Sequence, residues 1–498
     1  MPANSYTEFC CRNGGNNLNA GTVDGGSTEP AVTPLVTYTA GDWNSTTDIY
    51  TAPVGADMTE AVVGRFASVY VDGDTVPTTN QYLTGRISVV NAGTRQITLT
   101  AIRTLGTEVT TGTGNRSMRI GGAWNGPNGA VPWFDNFPGQ TSTNADNNPP
   151  RVNLKNDKTY SVTANIPISV GDCAVFAGYS STYGDGGIAT IDGGTSGASY
   201  ILFSVSGTAS PALLQDIEFK NNGATGSANG VSISAPSCVI WRCVFRGMVG
   251  AGYNLAGGGT VLVECEAYGN NTSNTAATPG IGATAISNFI ALTRCISHDN
   301  ITSNSPGFRI LASSIVNSCI GYNNGSYGYT GSVSSRPHII SNCDFYNNGA
   351  AASPGNGGGI TSVGSGVVEN SNFLKNEDYG VNTMSASFLP IYANNGFGKG
   401  SMANQTGDLL NNSGGYILLN SVDYTPNTAP WNDVDTGNFT ITNSEAKGRG
   451  RGKYTQEQPG QSGTEAFPDI GAAQSSSASG GGGGGDGGGI RTGLGLTV

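Results

Sequence analysis

Between residues 213 and 376, one short run of apolar and polar positions returns seven times. It reads Asp-Ile-Glu-Phe-Lys-Asn-Asn from Asp216 and Arg-Cys-Val-Phe-Arg-Gly from Arg242, then recurs from Glu264, Arg294, Ser318, Asn342 and Asn370. Aligned on its second residue, the column is Ile217, Cys243, Cys265, Cys295, Cys319, Cys343 and Ser371, in steps of 22 to 30 residues. Two positions further on stand Phe219, Phe245, Ala267, Ser297, Gly321, Phe345 and Phe373. Side chains alternate with period two along a strand, so both columns share one face. We expect that face to point inward, where Cys, Ile, Ala and Gly suit a narrow interior. Five positions past the anchor stand Asn222, Met248, Asn270, Asn300, Asn324, Asn348 and Asn376. Asparagine tolerates the left-handed backbone of a sharp bend, and its amide can bond to an asparagine stacked above or below. A fixed motif at variable steps predicts a fixed strand with loops of changing length, stacked into a solenoid of parallel sheets.

Three positions past the anchor an outward column runs Lys220, Arg246, Tyr268, His298, Tyr322, Tyr346, Leu374. Tyr268, His298, Tyr322 and Tyr346 put four flat rings in one stripe. They are the candidate carbohydrate contacts, because aromatic rings stack on the apolar faces of sugars. Cross-strand pairing in a parallel sheet would produce the same stripe with no ligand.

The inward Cys and aliphatic column with an Asn column at one bend resembles the right-handed parallel β-helix of the pectate-lyase-like superfamily. Phe9 to Thr22 resembles the opening phrase of such proteins, and Val152 to Gly194 resembles their first coils. Pro-Asp-Ile-Gly-Ala-Ala, within the stretch Asp435 to Gln474, resembles their closing segment. The resemblance implies an all-β chain: a parallel β-helix solenoid, a small N-terminal β-sandwich or barrel-like domain and a Gly-rich C-terminal tail. The expected divisions are an N-terminal strand and loop at 1–30 and a small β domain, inserted or separate, at 31–119. The parallel β-helix takes 120–419, a closing segment 420–474 and a Gly/Ser-rich tail 475–498. Within the small domain, Phe66 to Val71 reads as a strand. Arg86 to Val90 and Gln96 to Thr100 read as a hairpin around Asn91-Ala-Gly-Thr94. The tail closes on Ile490-Arg-Thr-Gly-Leu-Gly-Leu-Thr-Val498. That run is either a plain disordered end or a short apolar strand on a tether, able to dock on a neighbouring subunit.

Composition narrows the partners. Glycine contributes 77 residues and charged residues only 11%, which suits a many-turned β protein. The net charge of −11 argues against nucleic acid and anionic membrane surfaces, and no apolar run reaches the length of a membrane span. If Met1 is the true start, no secretory signal is expected, and the protein is made in a host cytoplasm. The nine cysteines are an odd count. With no CxxC spacing and no His in the column, the five ladder thiols read as small buried hydrophobes; no metal or cofactor is expected.

The acid and base patterns of the superfamily's hydrolases and lyases are absent from this sequence. His298-Asp299 is the one adjacent His–acid pair, and neighbours on a strand point to opposite faces. No catalytic residue is assigned, and the reading leans away from an enzyme. A small β domain ahead of a β-helix with a tethered tail resembles bacteriophage tailspikes and capsid appendages. That implies a virion-associated structural or adhesin protein that binds surface polysaccharide, forms a homo-oligomer with a trimer favoured, and contacts other virion proteins. The alternatives are a polysaccharide lyase or glycoside hydrolase, and a bacterial surface structural protein at the cell surface or outside the cell.

Overall fold

The computed structural model describes residues 7–12, 29–72, 82–104, 110–121, 150–163, 165–169, 174–206, 212–272, 278–283, 289–300, 302–331, 336–349, 357–361, 366–383, 390–411, 417–433 and 438–441. The loop at 136–150, all but its last residue, most of the segment 435–474 and the tail 475–498 lie outside these residues, as does Cys173. No helix among the described residues is long and apolar enough to cross a membrane. The chain divides into two compact units, the first comprising residues 1–195, 200–220 and 232–239 and the second the rest.

The first unit holds a closed antiparallel barrel of six strands, in the order Val36–Asn44, Ile49–Thr51, Gln96–Thr104, Tyr82–Asn91, Phe66–Val71 and Gly112–Ile120. Trp43, Tyr50, Val69, Leu83, Ile97 and Met118 fill it. Tyr82–Asn91 and Gln96–Thr104 form the hairpin read from Asn91 to Thr94. The barrel occupies the chain between two neighbouring rungs of a parallel sheet, because Thr7–Cys11 pairs in parallel with Pro150–Lys155. Phe9 of that strand meets Phe66 of the barrel edge to face, with centroids 5.7 Å apart.

The second unit is a coil of parallel strands on three sheets. Each turn passes from a second-sheet strand such as Tyr253–Leu255, through a first-sheet strand such as Thr260–Val263, to a third-sheet strand such as Glu266–Tyr268. On the third sheet, Glu266–Tyr268 pairs in register with Ile296–His298, which pairs with Ile320–Tyr322 and then Asp344–Tyr346. The corner between first and third sheets is one left-handed residue: Arg242, Glu264, Arg294, Ser318, Asn342 and Asn370 have φ between 51° and 55°. A non-glycine residue there carries a steric cost of roughly 1 kcal/mol, offset by the ladder bonds each rung gains.

The cysteines follow this corner directly. Cys243, Cys265, Cys295, Cys319 and Cys343 are buried free thiols. Burial pushes the Cys265 and Cys319 thiols well above their ordinary range. Beside them Phe345, Phe373 and Phe397 stack at 5.5 and 5.6 Å. Cys295 Sγ reaches the Leu262 and Thr293 carbonyls at 3.6 Å, a long contact that a shorter C–O bond cannot keep. Cys295→Ser is therefore expected to cost roughly 1–3 kcal/mol, read as a lower thermal midpoint; an unchanged midpoint would contradict tight inward packing.

The asparagine column differs from the expectation in one respect. The left-handed residue at the second bend is the one before it, as at Asp299, Asn323, Asn347 and Lys375, with φ from 50° to 53°. The asparagines themselves turn inside and are buried. Asn300 Nδ2 donates to Asn324 Oδ1 at 2.9 Å, Asn324 to Asn348 at 3.0 Å, and Asn348 to Asn376 at 3.0 Å. Asn376 donates in turn to Asn404 at 2.9 Å, one rung beyond the seven repeats. Asn270 joins through its Nδ2 bond to the Phe245 carbonyl, and Asn222 through its bond to the Ala228 carbonyl. A facing column of glycines makes room for these amides. A Cβ on Gly307 would lie 2.7 Å from Asn324 Nδ2, and one on Gly328 would lie 2.9 Å from Asn348 Nδ2.

Candidate functional site

The third sheet's outer face carries the aromatic stripe, and the register alone fixes its geometry. Tyr268 pairs with His298 and His298 with Tyr322. Rungs lie about 4.8 Å apart, so flat side chains in one column must stack. The Tyr268 and His298 centroids are 5.0 Å apart at 13°, and those of His298 and Tyr322 are 4.6 Å apart at 3°. Both faces of the imidazole are thus covered by neighbouring rings. A sugar approaching this column meets ring edges and hydroxyls, not the flat faces expected from the sequence.

Both ring nitrogens of His298 are engaged as well. Nε2 lies 2.9 Å from Glu266 Oε1, and Nδ1 lies 2.7 Å from Asp299 Oδ2. Burial pulls the imidazole toward its neutral form, but the bonds to Asp299 and Glu266 prevail and raise its pKa. The hydrogen bond from His298 holds the Asp299 carboxyl below its usual range. Burial raises the Tyr322 hydroxyl, helped by the Asp299 and Glu266 charges. The structure corrects the reading of His298-Asp299 as a pair on opposite faces. Asp299 has φ 50°, so strand alternation ends at His298 and the carboxylate folds back to the same side. What results is an imidazole between two carboxylates, an arrangement that favours its protonated form.

The stripe does not remain open along its length. Tyr346 is only 3% exposed. Trp431 meets it edge to face at 5.7 Å, and Phe439 lies 5.2 Å from Tyr322. These two residues come from the antiparallel pair Trp431–Asp433 and Asn438–Ile441, which folds back over the sheet. With Tyr424 and Leu374 they form a buried apolar cluster on the sheet's outer side. Tyr346 is therefore a core residue, not a glycan contact, and Tyr322 is roofed on one side. The sequence offered a sign of this: inward-type residues (Ile296, Ile320, Leu374) stand in the outward columns of these rungs.

The sequence reading passed over a second aromatic. Trp241, on the first sheet just before the corner, is 37% exposed. The Arg242 guanidinium lies 4.3 Å from its ring centroid, and Trp241 Nε1 donates to Glu264 at 3.2 Å. Glu264 also pairs with Arg294. A partly exposed indole against the Arg242 guanidinium, bonded to a carboxylate that Arg294 also holds, offers an apolar surface beside fixed donors and acceptors. No group of three His, Cys, Asp or Glu among the described residues is placed to hold a metal ion.

Residues 227–397 match the family described as right handed beta helix region. The coils across that span are thus those of a right-handed β-helix. Among solved structures, pectate lyase Pel9A is similar at 16% identity and TM-score 0.41, over 66% of this chain and 88% of its own. The periplasmic alginate epimerase AlgG is similar at 12% identity and TM-score 0.28, over 55% and 77%. An alginate lyase from Paenibacillus sp. is similar at 9% identity and TM-score 0.32, over 59% and 98%. No curated protein matches the chain. Within this β-helix the matched span includes Trp241, Glu266, Tyr268, His298 and Tyr322, and ends before the covering strands at 431–441.

Proposed function

We propose that the protein is a structural or adhesin rod of a virion, a tailspike or capsid appendage, whose β-helix meets surface polysaccharide. On this reading it acts as a homo-oligomer, a trimer favoured, attached to other virion proteins. The supporting observation is the state of His298. Its two faces are stacked and its two nitrogens lie against carboxylates, so its ring and both nitrogens are engaged in contacts within the sheet. The groups open to a glycan are Trp241 with Arg242, Arg294 and Glu264, and the edge of Tyr268. Purified protein would be incubated with a panel of bacterial surface and acidic polysaccharides, reading retention and viscosity loss together. Retention without viscosity loss is expected. Trp241→Ala should weaken it roughly tenfold, the size of one aromatic contact. Retention that ignores this change would remove Trp241 from the contact surface.

A second reading has one observation in its favour. Glu266, His298 and Asp299 bring three titratable side chains together on an outer face, and the similar structures named above include lyases and an epimerase of acidic polysaccharides. Falling viscosity in the same assay, abolished by His298→Gln, would put a polysaccharide lyase or hydrolase first.

A further inference from the structure

Among the described residues, the first sheet of the second unit ends on an exposed apolar rung. Ile417–Leu419 pairs with Ile391–Ala393, and Leu418 stands opposite Tyr392. The inward column to which Leu418 belongs runs through Leu262, Leu292, Val316, Ile340, Val368 and Tyr392, each no more than 1% exposed. Leu418 itself is 47% exposed, and its neighbours Ile417 and Leu419 are 44% and 42% exposed. The Ile417 N–H donates to the Pro390 carbonyl, and the Leu419 carbonyl accepts from Asn394. Alternation along the strand therefore aims the Leu418 N–H and C=O at the open side. Among the described residues no strand lies beyond this one in its sheet. An open apolar edge of this kind is a template for one more strand.

We propose that residues 490–498 of the same chain supply that strand. In residues 442–498 they form the one run of strict alternation: Ile490, Thr492, Leu494, Leu496 and Val498 fall on one face. Phe467 and Ile470, the other large apolar residues of that stretch, do not alternate. Laid against Ile417–Leu419, the apolar face turns inward and covers Leu418, while the backbone pairs with its free N–H and C=O. Reach is sufficient. Phe439 packs on Tyr322, four rungs from Val422–Asp423 at the same end, or roughly 20 Å. A flexible chain as long as 442–489 has an r.m.s. span of roughly 35–40 Å. A tether of that size holds the strand at an effective concentration in the millimolar range, so at micromolar protein the chain's own edge outcompetes a second copy's. This inference is independent of what the rod binds.

The experiment compares the full chain with a chain ending at Gly489 and with the double variant Leu494→Asp/Leu496→Asp, by hydrogen exchange across residues 417–423. Both altered chains should exchange the Leu418 amide at least tenfold faster, with unchanged exchange around Cys295 showing that the rod is folded. A synthetic peptide of residues 490–498 added to the truncated chain should restore protection. Equal exchange in all three chains overturns the proposal. Protection in the full chain that fades on dilution, together with a larger mass by light scattering, overturns it too and gives the edge to a second copy.

Discussion

Replacing Asn324 by alanine is expected to cost the second unit roughly 3–5 kcal/mol, more than most substitutions of similar size. The side chain is fully buried and all of its polar atoms are used. Its Nδ2 donates to the Ser297 carbonyl at 2.9 Å and to Asn348 Oδ1 at 3.0 Å. Its Oδ1 accepts from Asn300 Nδ2 at 2.9 Å. Alanine removes all three bonds and leaves the partners facing a dry void, where each unsatisfied group costs about 1–3 kcal/mol. Some relief remains, since Asn348 Oδ1 still accepts from the Asn324 N–H and Asn300 can keep Ser297 Oγ at 3.2 Å. Asn324→Asp tests the directionality of the column. A carboxylate is nearly isosteric but can only accept, so it faces Asn348 Oδ1 and the Ser297 carbonyl with like charge. It should cost more than alanine at neutral pH and recover part of the loss in acid. Urea unfolding of the three chains decides the matter; a loss below about 1 kcal/mol for alanine would mean the column is polar filler.

The repeat made the coil legible because the interior is narrow and its chemistry recurs at each rung. Cys295 could be assigned to an inward position and Asn324 to a stacked column at the bend from spacing alone, since each lies a fixed number of residues from the same motif. The corners were harder to read. Arg294, Ser318 and Asn342 all take left-handed backbone there, and such a varied column carries no composition signal. Asn404 escaped notice because the turn at Gly400–Met402 replaces the usual motif ahead of it. Its step of 28 residues from Asn376 repeats the step from Asn348 to Asn376, and that was the available clue.

The aromatic stripe was legible as a column, but how much of it lies open was not. Rung spacing forces Tyr268, His298 and Tyr322 to use their faces on one another. Sequence spacing cannot say that a distant pair of strands at 431–441 will roof Tyr346. The balance of long-range burial decides that, and it involves Trp431 and Phe439, which no repeat marks. The same logic explains Asp299. A single left-handed residue reverses the facing rule that holds along a strand, and only the backbone angle reveals it.

Acidification should destabilise the rod between pH 6.5 and 4, and His338 is the cause. The chain has two histidines, and they shift in opposite directions. His338 is fully buried, with Nδ1 2.9 Å from both Ser314 Oγ and the Tyr329 hydroxyl. Burial pulls its pKa down to about 4. In the unfolded chain it titrates near 6.5, so below that pH the unfolded state binds the extra proton. Stability from His338 is thus complete above about pH 6.5 and is lost as pH falls toward 4. The full loss is about 3 kcal/mol, and roughly 2–3 kcal/mol of it is gone by pH 4.5. His298 has the opposite sign. Its pKa is raised in the fold, so its contribution is present below 6.5 and fades as pH rises through the folded value. Lowering the pH from 6.5 to 4.5 therefore leaves the His298 contribution in place, and most carboxylates titrate below that window. Unfolding free energies at pH 6.5 and 4.5 for the natural chain and for His298→Gln should fall by the same amount. A flat profile would mean that His338 takes up its proton inside the folded rod, with the Ser314 and Tyr329 oxygens accepting from the imidazolium.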